Sequence, residues 1–104
     1  MKARPKPERL GEKLRQIRLT LGLTQMEMPR QLGAEGIIRH ARISEYEQGI
    51  REPSLMVLLG YARLAGVHME ALVDDELDLP EKLPGTAPHE TIKRQYAPHR
   101  KSKR

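Results

Sequence analysis

Apolar residues recur along this chain at helical spacing, in short blocks bounded by residues that start or stop a helix. Leu10, Leu14, Ile17 and Leu21 fall at i, i+4, i+7 and i+11, one face of a first helix that begins near Arg9 and that Gly22 closes. Thr24 and Glu27 form a T-x-x-E capping box, with Leu23 and Met28 at the two positions of a hydrophobic staple. The pattern therefore predicts a second helix from Gln25 to Leu32, stopped by Gly33. Pro29 would be its fifth residue and lacks the N–H that would bond the Gln25 carbonyl, so this helix is expected to bend or to be short and irregular.

Ile43 and Tyr46, three apart, mark the inward face of a third helix that takes Arg39 or His40 into its first turn and ends at Gln48 and Gly49. Ser54 is placed to cap a fourth helix, SLMVLLGYARLAG, whose inward row reads Leu55, Leu58, Ala62 and Ala65, with Gly66 ending it. A brief fifth helix follows, roughly Met69 to Val73, with His68 at its N-cap and Leu72 turned back to the core. The predicted class is all-α, five helices with no strand pattern.

The flanks carry no such period. Residues 1–8, MKARPKPE, alternate proline with cations and read as an extended basic arm. Residues 9–79 form the predicted domain. Residues 80–104 read as a proline-containing basic tail, extended or ordered by a partner. Leu77, Leu79 and Leu83 either pack on the domain or meet a second subunit.

Composition narrows the chemistry. The three aromatic residues are all tyrosines, so the core must be aliphatic, which suits small helices. A net charge of +5 favours a polyanionic partner. The cations crowd the first nineteen and last twelve residues, and between them an acid run (Glu70, Asp74, Asp75, Glu76, Asp78, Glu81) reads as a solvated side kept off nucleic acid or a dock for a basic partner. With no cysteine there is neither a disulfide framework nor a thiolate metal site. No apolar run reaches the ~18 residues of a membrane span, and the basic start lacks a signal peptide's apolar segment, so the cytoplasm is the expected compartment.

Taken in order, LGEKLRQIR, GLTQ, Leu32-Gly33, ISEYEQG, EPS and AGVHMEALV resemble the phage repressor and Cro-like helix-turn-helix family, the xenobiotic-response-element type, over about residues 9–73. The resemblance implies double-stranded DNA as partner, with the third helix in the major groove. It implies base contacts from His40, Ala41 and Glu45, flanked by Arg39 and Arg42. Backbone contacts would come from Thr24, Gln25, Ser44, Gln48 and Arg51. It also implies a structural ion pair between Arg18 and Glu47, and a homodimer on paired half-sites, for which Leu72, Leu77 and Leu79 are the candidate surface.

Two departures stand out. Nine residues, Ala34 to Arg42, separate Gly33 from Ile43, about four more than the family pattern. Either a longer loop is anchored by Ile37 or Ile38, or the third helix begins early. Pro29 stands where the family carries a small alanine.

No catalytic residue, metal site or cofactor is expected: His40, His68, His89 and His99 show no ligand spacing, and no phosphate loop or nucleophile motif occurs. The leading expectation is a sequence-specific transcriptional regulator. The alternative is the antitoxin of a toxin-antitoxin pair, or another interaction module, that uses the same fold and docks a protein through its tail.

Overall fold

Five helices occur in the order α1 (Leu10–Thr20), α2 (Met28–Gln31), α3 (His40–Gln48), α4 (Leu55–Ala65) and α5 (Met69–Val73). The computed structural model describes residues 6–84, and among these there is no strand. Residues 1–5 of the arm and 85–104 of the tail lie outside the described residues.

α1 is the centre of the fold, packing on α3, α4 and α5, while α2 packs on α3 and α5 on α4. Its face Leu10, Leu14 and Ile17 meets Met28, Ile43, Tyr46, Leu58, Ala62, Ala65 and Leu72 in one core. Leu14, Ile17, Ile43 and Leu72 are fully buried, each stabilising the fold by about 1.5–3 kcal/mol relative to exposure.

The capping box forms as its spacing predicts: the Glu27 N–H donates to Thr24 Oγ1 at 3.2 Å and the Thr24 N–H to Glu27 Oε1 at 2.8 Å. It encloses only a turn. The α-helical run starts later than predicted, at Met28, and lasts four residues. Pro29 explains this, because it cannot donate to the Gln25 carbonyl and sits instead at the start of α2, where a missing N–H costs nothing. Gly33, at φ 74°, then ends α2 with the Ala34 N–H on the Pro29 carbonyl at 2.8 Å.

Ser54 caps α4, accepting the Val57 N–H at 3.2 Å. The inward row of α4 differs from the predicted one at its start. Leu55 is exposed, and Pro53 is buried at this end of the core; Tyr61 joins Leu58, Ala62 and Ala65 inside.

The acid run is not simply a solvated side. Asp75 accepts the Glu8 and Arg9 N–H groups at 2.9 and 3.0 Å, capping the start of α1 from 66 residues away. Arg9 returns its guanidinium to the Asp75 carbonyl at 2.7 Å and to Asp78 at 2.6 Å. The amide bonds of Glu8 and Arg9 hold the Asp75 carboxyl below the usual carboxylate range. Beside this clasp Lys13 is buried, its ammonium donating to the Ala71 and Asp74 carbonyls at 2.8 Å each.

After α5 the chain runs back over the core, burying Leu79 and Leu83. Leu83, within the predicted tail, thus packs on the domain, while residues 80–82 and 84 are exposed. Leu72 and Leu79 are interior, which removes two of the three candidate dimer positions and leaves Leu77 at 39% exposure.

Candidate nucleic-acid interface

The third helix lies close against α1 because Gly11 has no side chain. A Cβ there would stand 2.7 Å from the Glu47 carbonyl oxygen and 2.8 Å from that of Tyr46. Ile43 and Tyr46 point inward from α3 and are buried, which turns the row Ala41, Ser44, Glu45 and Gln48 outward.

Charge fixes the other end. Arg18 Nε donates to Glu47 Oε2 at 2.7 Å and its Nη2 to Oε1 at 3.0 Å, on side chains only 11% and 3% exposed. Arg18 also bonds the Leu23 carbonyl at 3.0 Å. The hydrogen bond to Glu47 raises the Arg18 pKa further above its ordinary value. Tyr61 lies fully buried nearby, and its hydroxyl has no hydrogen-bond partner among the described residues. Burial pushes that hydroxyl well above its ordinary pKa, and the Glu47 carboxylate adds to the effect.

Gln25, a backbone-contact candidate, is drawn into this group: its amide Nε2 donates to Glu47 Oε1 at 3.1 Å. One of its amide hydrogens and its carbonyl oxygen remain beyond that bond. The ends of α1, the turn before α2, and α3 are therefore tied at one carboxylate. Thr24, its hydroxyl already accepting the capping N–H, stands exposed next to it.

Arg39, His40 and Ala41 are exposed at the start of α3. Arg39 is the N-cap, extended at φ −100° and ψ 162°, and no side chain caps this helix. Farther along the row, Gln48 donates to Ser44 at 2.7 Å. Glu45 lies between two cations: Arg51 Nε donates to its Oε1 at 3.0 Å, and Arg42 Nε is 3.3 Å from the same oxygen.

The extra residues before α3 form a loop, not an early helix start. The Ile37 and Ile38 N–H groups both reach the Ala34 carbonyl, at 2.9 and 3.1 Å, and Gly36 takes φ 83°. Ala34 is buried and Ile38 packs partly on the core, while Ile37 is 79% exposed. Ile37, Met56, Arg42 and Arg51 line one groove.

Sequence reasoning missed Gly11, Lys13 and Asp75. A glycine inside a strongly periodic helix is a signal of close backbone approach; the other two act across long separations that leave no local mark.

With this geometry in place, the sequence pattern of the helix-turn-helix domain family matches residues 9–75. The chain belongs to the helix-turn-helix domain family. Neither a curated protein nor a solved structure matches significantly. The match agrees with the repressor-like resemblance and spans all five helices. The family is one of DNA-binding regulators. No helix among the described residues is long and apolar enough to cross a membrane.

Proposed function

We propose that the protein is a sequence-specific transcriptional regulator that lays α3 into the major groove of an operator. The observation that carries this reading is the start of α3: Arg39, His40 and Ala41 stand exposed on a helix anchored from behind by Gly11, Arg18 and Glu47. A reading helix must be held rigidly while its N-terminal residues stay free, and this one is.

Arg39 and Arg42 have the forked donors that suit guanine O6 and N7; His40 can bond a base edge, and Ala41 can meet only a thymine methyl. Thr24, Gln25, Ser44, Gln48 and Arg51 supply hydroxyl, amide and guanidinium groups for phosphates. Gln25 is pre-positioned for this by its bond to Glu47. Glu45 meets Arg42 and Arg51 through Oε1, which leaves its second carboxylate oxygen able to accept from a cytosine amino group.

Selection of bound duplexes from a random pool tests the proposal, repeated with Arg39→Ala and Arg42→Ala. A defined sequence should emerge, and at least one variant should relax one position of it. Selection of the same sequence by wild type and both variants would reject α3 as the reader.

A further inference from the structure

We propose that Glu45 clamps Arg42 and Arg51, and that the grip of this carboxylate, which a polyanion must break, holds down binding to DNA of arbitrary sequence. The proposal rests on the reading of α3 as the DNA-facing helix and gives Glu45 a role other than base contact.

A single oxygen, Oε1, receives both guanidinium groups, Arg51 at 3.0 Å and Arg42 at 3.3 Å. The two cations come from different elements, α3 and the loop after Gly49, so the carboxylate draws them together over the outer face of the helix. The side chains are 43%, 36% and 50% exposed for Arg42, Glu45 and Arg51. Ion pairs this open to water are weak. Phosphate, with its own charge and paired oxygens, can therefore take both arginines from the carboxylate.

The main chain makes this separable from folding. Ile50 and Arg51 donate their N–H groups to the Glu45 carbonyl at 3.0 and 3.4 Å. The loop conformation is therefore held by backbone bonds that a side-chain change leaves in place.

The test uses the full chain and Glu45→Gln, titrated against a random-sequence duplex of about two helical turns and, separately, against heparin as a polyanion without bases. Glu45→Gln should tighten both by about tenfold at 0.1 M salt, the scale of one added phosphate contact. In an Arg42→Ala, Arg51→Ala background the same change should gain less than about twofold. A gain of equal size in both backgrounds would overturn the clamp in favour of plain repulsion, as would no gain. The operator reading is judged apart: a protein that shows the clamp on heparin but selects no duplex keeps the clamp and loses the operator. One that selects a duplex while Glu45→Gln changes nothing does the reverse.

Discussion

Arg18 and Glu47 join α1 to α3 through two charge-assisted bonds of 2.7 and 3.0 Å, and both side chains are nearly withdrawn from water. Such a pair adds little over a well-packed apolar one, yet breaking it strands a charge. Glu47→Ala is expected to lower stability by about 3 kcal/mol, the low end for a buried pair. Arg18→Met with Glu47→Leu should cost distinctly less than the sum of the single changes. Urea denaturation of Glu47→Ala, of the two single changes and of their double checks this; additive losses would mean the two residues do not act as a pair.

Gly11→Ala should destabilise the fold even though alanine favours helix by about 1 kcal/mol. The new Cβ would meet backbone oxygens at 2.7 and 2.8 Å, which cannot rotate away, and overpacking of this kind costs about 1–3 kcal/mol. Gly60→Ala is the control, since its nearest atom is the Leu32 carbonyl oxygen at 3.3 Å. A lower melting temperature for the first and a smaller change for the second is the expected pattern.

The clasp at Asp75 has a defined pH signature. Its carboxyl is held below the ordinary value by the Glu8 and Arg9 amides, so its contribution is complete above the unfolded pKa of about 3.9. It is lost as pH falls through the lower folded value. Asp75→Asn should therefore be less stable than wild type at pH 7, with the gap closing in strong acid. Denaturation curves at the two pH values decide it; a gap that persists in acid would exclude the carboxylate as its cause.

Tyr61→Phe removes a buried hydroxyl that has no partner among the described residues. An unpaired buried polar group costs about 1–3 kcal/mol, so the variant should melt no lower than wild type and gain about 1 kcal/mol in stability. A clear loss of stability would show that the hydroxyl is bonded in solution.

What could be read in advance was local. The capping box of Thr24 and Glu27, the Ser54 cap and the bounds of α5 rest on residues three or four apart, and each follows from short-range chemistry. Pro29 announced an irregular α2, but the extent of the turn before it depended on which backbone bonds survived. Leu55 has the right spacing for the core and misses it because periodicity does not say where the neighbouring helices stop. Asp75, Lys13 and Leu83 act on α1, α5 and the core through chain reversals that no local pattern encodes. At the candidate interface the residue types on α3 were legible, whereas the ties of Gln25 to Glu47 and of Glu45 to Arg51 required the packed loops.

Lys13 looks, by composition, like one more cation offered to an anionic partner, yet only 1% of it is exposed. Among residues 6–84 the other lysines, Lys6 and Lys82, are exposed. An amine-reactive label should therefore mark those two at once and reach Lys13 only when α5 lifts from α1. Its rate of labelling is a built-in clock for the opening of the domain, readable by mass spectrometry without any engineered probe.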